Sequence, residues 1–596
     1  MATSSKLFTR PRLWGFWPAL LVHLACSSPP SPAPPESTAE DSTEPARQLF
    51  EESAQSSGLH FVHQNGLDGS YRYPEMMGAG LALFDYDRDG DLDLYLTQGH
   101  RLPSDGSPPG GRLFRNDLEQ GELHFTDVTE ESGLKAHGYG MGATVFDVDR
   151  DGWPDLYLTN LGPNQLWRNL GGEAEGGGVV TFQDITESSA TGIDGWSVPA
   201  AVLDVDRDGW LDLYIGQYVA YDVASEPTCQ DEVGARNYCG PLSFRALPDR
   251  LLRNGGPGRP FEDVSEKAGI ESEFGRTLGA IATDLDGDGW DDVYVGNDGT
   301  PNQLWIHRGS KEGPGPWFEN RAVLAGAAVS GQGLPEASMG IASADFDDDG
   351  DEDLLVTHLR KETNTLYAND GRGHFLDRSN PSGLGPPSLP KTAFGVGWFD
   401  IENDGDLDVF VANGAVKVIK SLALAGDPFP LHQPNQLFEN RGDGTYVDIS
   451  DDLGSALAHS EVSRGAAFGD LDNDGDTDVV LLNNGGLVRL LRNMTGQDRS
   501  WLGLRLLEAH GGGPSLGALA TLRRKNGTMA TRRASTAGSY ASSNDPRPLF
   551  GLGDDLEPQM VQVRWPDGRG ELFHDLTVRT WHDLVQGQGQ PSEDSP

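Results

Sequence analysis

The sequence predicts an all-β protein, a seven-bladed β-propeller closed by an N-terminal strand and followed by a small β-sandwich-like domain. Three observations carry the prediction. An Asp-rich loop of nine residues occurs seven times, beginning at Asp85, Asp147, Asp204, Asp284, Asp345, Asp400 and Asp470. Each loop runs into a β-branched and aromatic segment such as Leu94-Tyr-Leu96 or Val293-Tyr-Val295, the composition of a strand. A second motif, typified by Arg112-Leu-Phe-Arg-Asn116, follows each of them in turn. Short strands repeating at this spacing are blades arranged about an axis.

The loop itself points to metal chemistry. Carboxylates stand at positions 1, 3, 5 and 9, and Gly at position 6 allows a sharp turn. The sets are Asp85, Asp87, Asp89, Asp93; Asp147, Asp149, Asp151, Asp155; and Asp204, Asp206, Asp208, Asp212. They continue as Asp284, Asp286, Asp288, Asp292 and as Asp345, Asp347, Asp349, Asp353. The last two are Asp400, Glu402, Asp404, Asp408 and Asp470, Asp472, Asp474, Asp478. So many acids in one turn repel unless a cation sits among them, and an all-oxygen set of flexible geometry suits Ca²⁺ before Mg²⁺. About seven structural Ca²⁺ ions are expected, one per loop. An EF-hand is excluded, because its position-12 Glu is replaced here by Leu96, Leu158, Ile215, Val295, Val356, Val411 and Leu481.

In chain order, Lys6, Arg10 and Arg12 precede an apolar run of about 13 residues, too short to span a bilayer. Residues 1–26 read as a signal peptide, and Ala25-Cys26 resembles a lipobox, so Cys26 is expected to carry lipid; ordinary cleavage is the alternative. Residues 27–47, rich in Pro, Ser and acids, form a disordered tether. The formal charge of −46 disfavours nucleic acid and anionic membrane as partners. The expected location is the outer membrane, periplasm or cell surface as a lipoprotein, or otherwise the medium.

The propeller spans 48–493. Its first blade reads as strands Gly80–Phe84, Leu92–Thr97, Arg112–Asn116 and His124–Thr129, labelled A to D from the axis outward. The A segments are rich in Gly and Ala, as narrow space near an axis requires. The seventh unit lacks a D strand after Asn493, whereas Phe50 with Gly58-Leu59 matches Phe125 with Gly133-Leu134. The N-terminal segment therefore completes the last blade and removes two open sheet edges.

Large insertions separate B from C strands at Gln98–Gly111, Gln217–Asp249 and Asn413–Gln433, all on the face opposite the Asp loops. The second holds Cys229 and Cys239, expected to form a disulfide in an oxidising compartment, with Tyr218, Tyr221, Tyr238 and Phe244 as a face for a protein or glycan partner. The competing reading is that this insertion covers the central channel. Catalytic residues are not evident: His358, His432 and Glu362 are the only candidates, and a polysaccharide lyase or hydrolase is the enzymatic alternative to a monomeric interaction module.

The loops between strands resemble the FG-GAP or VCBS repeats of integrin α-subunit propellers. Asn237–Pro241, Ala337–Gly340, Glu362–Tyr367 and Val411–Gly414 resemble the cartilage acidic protein 1 family and its bacterial relatives more closely. Leu549–Gly553 followed by Val561–Gly568 resembles an ASPIC/UnbV domain. The resemblance implies an extracytoplasmic Ca²⁺-binding propeller with interaction roles. Read from residues alone, 494–585 is a small β domain with hairpin turns at Asn526-Gly527 and Asp567-Gly568, and 586–596 is a disordered tail. Its basic cluster Arg523, Arg524, Lys525, Arg532 and Arg533 reads as solvated or docked on the acidic propeller, with an anionic ligand as the alternative.

Overall fold

The computed structural model describes residues 48–592 except 105, 107, 119–120, 173–178, 231–233, 235, 310–316, 453–455, 526 and 558. The signal segment, Cys26, the tether and Asn526 of the first hairpin turn lie outside the described residues.

Each repeat folds as a four-stranded antiparallel sheet, and seven such sheets succeed one another between residues 50 and 493. In the first, Leu81–Phe84, Asp93–Leu96, Arg112–Asn116 and Phe125–Asp127 pair in that order, with Leu83 opposite Leu94 and Tyr95 opposite Leu113. The B strand begins on the last loop carboxylate, Asp93, paired with Phe84. The seventh sheet takes its outer strand from the N-terminus: Phe50–Glu52 pairs with Asn493–Leu491, and Val62 bridges Leu487. Each inner strand lies beside the next, and Ser463–Gly469 of the seventh sheet lies beside Leu81–Phe84 of the first. One apolar cluster joins the two ends of the series through Leu59, Phe61, Leu81, Leu94, Val480 and Leu490.

Residues 500–591 form two facing sheets. A three-stranded sheet, Leu549–Gly553, Ser500–Leu507 and Trp581–Val585, shares its core with a five-stranded one ordered Met529–Arg533, Leu519–Arg523, Gln559–Arg564, Gly570–Leu576 and Gln590–Pro591. Gln590 and Pro591 pair with Leu572 and Glu571, so the sheet runs past residue 585 into the segment expected to be a disordered tail. The apolar alternation of these strands sends Leu502, Leu504, Leu522, Val561 and Trp565 into that common core.

This domain docks on the repeats and sends a strap into them. Residues 535–548 run along the inner strands: Ser543 N donates to Leu81 O at 2.9 Å, Ser539 N to Ile341 O at 2.7 Å and Asp545 N to Phe468 O at 3.0 Å. Thr536 Oγ1 donates to Val145 O at 3.0 Å, and the Tyr540 hydroxyl reaches Met77 O at 2.9 Å. The small A-strand residues make room for it. A Cβ on Gly80 would lie 2.1 Å from Ala541 O, which no side chain survives.

Candidate metal centres at the Asp-rich loops

The loops share one backbone. Position 4 is left-handed (φ 60° at Arg88, 55° at Arg150, 56° at Asn473) and so is the position-6 Gly (φ 99° at Gly90), a combination only Gly tolerates freely at the second place. Asp85 Oδ1 and Oδ2 accept from Asp89 N at 3.1 Å and Gly90 N at 3.0 Å, closing the turn. The last carboxylate is a buried latch: Asp93 accepts from Tyr86 N and Asn116 N, both at 2.8 Å. The same pair of bonds recurs in every loop, for instance Val148 N and Asn169 N to Asp155, and Leu471 N and Asn493 N to Asp478.

Positions 1, 3 and 9 converge. One oxygen from each of Asp85, Asp87 and Asp93 lies within 4.8 Å of the others, as in the sets beginning at Asp147, Asp204, Asp284 and Asp345. The position-5 Asp is not one of the three acids in these groups, although Asp89 is the charge acting most strongly on both Asp85 and Asp87. Its Oδ1 is taken by the backbone of position 7, as where Asp91 N donates to Asp89 at 3.0 Å. Position-3 oxygens remain buried without a partner among the described residues in Asp87, Asp149, Asp206 and Asp472. Burial first, and then the neighbouring acids, push Asp85 up to about 6 and Asp87 up to about 7, and Asp93 rises well above the carboxylate range. Crowded, desolvated carboxylates, several with a buried unpartnered oxygen, fit a hard divalent cation with oxygen ligands.

Two repeated devices escaped the sequence reading. The Asn that ends a C strand reaches back to the position-2 carbonyl of the preceding loop: Asn169 Nδ2 to Tyr86 O at 2.8 Å, Asn254 to Val148 O at 2.9 Å, Asn493 to Ile401 O at 2.8 Å. Asn116 makes the corresponding bond to Leu471 O at 3.0 Å, from the first sheet to the seventh. The recurrent Asn was the available signal. Position-4 arginines also lie over the position-7 tryptophan of the next loop, Arg88 on Trp153, Arg150 on Trp210 and Arg207 on Trp290, at 5.4, 5.6 and 3.9 Å.

The C-terminal domain covers this loop face. Arg564 Nη2 meets Asp284 Oδ2 at 3.3 Å, Trp581 Nε1 meets Asp470 Oδ2 at 3.2 Å, and Arg524 pairs with Asp348 at 2.6 Å. Of the basic cluster, Arg524 and Arg533 are thus docking residues, whereas Lys525 pairs within its own domain with Asp555 at 2.6 Å. A cavity of about 570 Å³ remains between the domain and the loops, lined among others by Trp398, Asp400, Arg532 and Arg547.

On the opposite face the insertion closes the axis. Tyr218 is fully buried and Phe244 nearly so, both stacked on Tyr73 with ring centroids 5.8 and 4.9 Å apart, in one cluster with Trp196 and Tyr540. They cannot meet a partner, which corrects that expectation: the strap's Tyr540 and the Tyr218–Asp298 hydrogen bond at 2.5 Å draw the insertion inward. Tyr221 and Tyr238 are half-buried and bond to Glu226 and Glu75, each at 3.0 Å. Cys229 and Cys239 are joined in a disulfide. His358 is buried beside Ser338 Oγ at 3.1 Å and Glu362 accepts from the adjacent Ala337 N at 3.0 Å, while His432 bonds the Ser460 carbonyl at 2.7 Å.

An FG-GAP-like repeat model matches residues 85–158, 147–215, 284–356, 345–411 and 423–481, together more than half of the chain; the first four matches run from one Asp loop to the B strand of the next sheet, and the fifth starts in the insertion before the seventh loop. The chain belongs to the FG-GAP-like repeat family. The C-terminal domain of this FG-GAP protein matches an ASPIC and UnbV model over residues 510–591. Human cartilage acidic protein 1 is 24% identical over 529 residues, covering 83% of this chain and 70% of its own. The Xenopus tropicalis protein of that name is 23% identical over 567 residues, with 87% and 77% covered. Among solved structures, an Agrocybe aegerita lectin described as recognising non-reducing terminal N-acetylglucosamine aligns with a TM-score of 0.35 and 15% identity, over 71% of this chain and 93% of its own.

Proposed function

We propose that this FG-GAP protein is an exported calcium propeller acting as an interaction and adhesion module, with Ca²⁺ in a structural role. The observation that supports the reading most is the repeated convergence of positions 1, 3 and 9, together with the buried position-3 oxygens left without a partner among the described residues in several loops. Each site draws its ligands from one turn, which favours a clip over a catalytic centre. Ca²⁺ would neutralise these acids and brace each A-to-B turn. The Cys229–Cys239 disulfide supports export, and lipid on Cys26 would hold the protein at a membrane surface.

With the loop face covered by the C-terminal domain, the face left for a protein or glycan partner is the opposite one. It exposes Leu242, Leu424 and Phe429 on its insertions. Of the enzymatic candidates, His358 is buried where a polysaccharide cannot reach, whereas Glu362 and His432 are partly exposed. Immobilised mature protein should capture a surface protein or glycan in Ca²⁺, and Leu424→Asp with Phe429→Ala should reduce capture. Equal capture by the variant rules this face out.

A further inference from the structure

One residue of each C strand stands in a fixed place beside its loop. The backbone N–H that follows it donates to the position-9 carboxylate, as from Asn169 to Asp155 and Asn254 to Asp212 at 2.7 Å, and from Asn369 to Asp353 and Asn493 to Asp478 at 2.8 Å. In this register Arg168, Arg253 and Arg492 serve the second, third and seventh loops, whereas Ile306, Ala368 and Glu439 stand there in the fourth, fifth and sixth.

The three arginines take hold of position 3. Arg168 Nε lies 2.5 Å from Asp149 Oδ2, with its Nη2 3.1 Å from Asp151 Oδ2. Arg253 Nη2 meets Asp206 Oδ2 at 2.7 Å and Asp208 Oδ2 at 2.8 Å. Arg492 Nε pairs with Asp472 Oδ2 in the most sheltered case, where 20% and 0% of the two side chains are exposed. In all three the other position-3 oxygen, Oδ1, is buried without a partner among the described residues.

The remaining loops differ. Arg115, in the same register of the first sheet, turns to Asp117 at 2.8 and 3.0 Å. Arg564 and Arg499 reach position 1 of the fourth loop and position 5 of the sixth, Asp284 and Asp404, at 3.3 and 3.4 Å. Beside the fifth loop Ala368 has no charge to offer, and Arg524 and Arg533 pair with Asp348 and Glu352, outside positions 1, 3, 5 and 9. Among the described residues no ion pair reaches Asp345, Asp347, Asp349 or Asp353, and Arg532 acts on Asp345 only from farther away.

An arginine against a carboxylate lowers its affinity for a proton about 10- to 1000-fold, and the same field opposes a divalent ion on that carboxylate. The guanidinium also relieves the crowded acids of a metal-free loop, which then gains less from an ion. We propose that Arg168, Arg253 and Arg492 make the second, third and seventh loops a weak class of Ca²⁺ sites, and that the fifth loop, with Ala368 in their place, belongs to a tight class that fills first. The proposal rests on the reading of the loops as Ca²⁺ sites and adds a grading among them.

The test is a titration of metal-stripped full-length protein with Ca²⁺ against a chromophoric chelator, giving ions bound at each free Ca²⁺ concentration. The wild type should fill in two phases. Arg492→Gln and Arg253→Gln should each move one ion from the weak phase to the tight one, a gain of about tenfold or more. Arg492→Lys keeps the charge and should leave that ion weak, while Ala368→Arg should move one ion from tight to weak. Filling of the wild type in one phase overturns the proposal. So does a Gln variant whose ion binds no better or more weakly, since the arginine is then a brace for the ligand and not a competitor. Should the Gln variants not fold, Ala368→Arg decides, and an unchanged tight phase overturns the grading. A wild type that takes up no Ca²⁺ contradicts the calcium reading itself.

Discussion

Arg533 Nε donates to Glu352 Oε1 at 2.5 Å, with 11% and 9% of the two side chains exposed, and Glu352 also accepts from Thr283 Oγ1 at 2.6 Å. This near-buried ion pair joins the C-terminal domain to the fifth loop. Losing one partner of such a pair strands the other charge, so Arg533→Ala should cost about 3–5 kcal/mol. Replacing both residues by Met should cost much less. Denaturant unfolding of the single and double variants checks the difference.

Tyr540 is the tip of the strap. Its ring meets Phe394 edge-on at 4.9 Å and its hydroxyl bonds Met77 O. Tyr540→Phe should cost about 1 kcal/mol for the lost hydrogen bond, and Tyr540→Ala about 3–5 kcal/mol for the cavity. The Ala variant should also bind a hydrophobic dye, since the Tyr73–Tyr218 cluster loses its cover. Thermal melts with dye fluorescence report both effects.

The repeat, the acidic turn of each loop and the N-terminal strand were legible because each follows a local pattern that recurs along the chain. Asp93 could be recognised as part of the loop from spacing alone, but not that its oxygens are shared with Tyr86 N and Asn116 N, a pairing set by where the C strand returns. The aromatic insertion misled for a longer-range reason. Tyr218 and Phe244 read as a binding face on their own, and Tyr73, far earlier in the chain, and Tyr540, far later, make them a core. The Arg207–Trp290 stack was equally hidden, since it joins successive repeats and leaves no mark within either.

His358 sets a pH dependence. Burial pushes its pKa from 6.5 down to about 4, so it is neutral in the folded state, beside Ser338 and Glu336. The unfolded chain takes up a proton near pH 6.5 and the folded one does not. The stability contribution is therefore present above pH 6.5 and lost as pH falls toward 4. Relative to His358→Gln, the wild type should weaken over that window. Parallel stability curves for the two proteins contradict it.

Deleting residues 48–62 should uncover the edge of Val488–Asn493 and open the contact between the seventh and first sheets. A lower melting temperature and self-association are expected, by light scattering after gel filtration.

The calcium clips are the central claim, and thermal unfolding in Ca²⁺ against EGTA addresses them directly. Each occupied site adds about 2.7 kcal/mol at 100-fold excess over its Kd. A large rise in melting temperature with Ca²⁺, abolished stepwise by position-3 substitutions such as Asp87→Asn and Asp149→Asn, is the predicted result. A melting temperature indifferent to chelation, with the loops equally resistant to protease, contradicts the account.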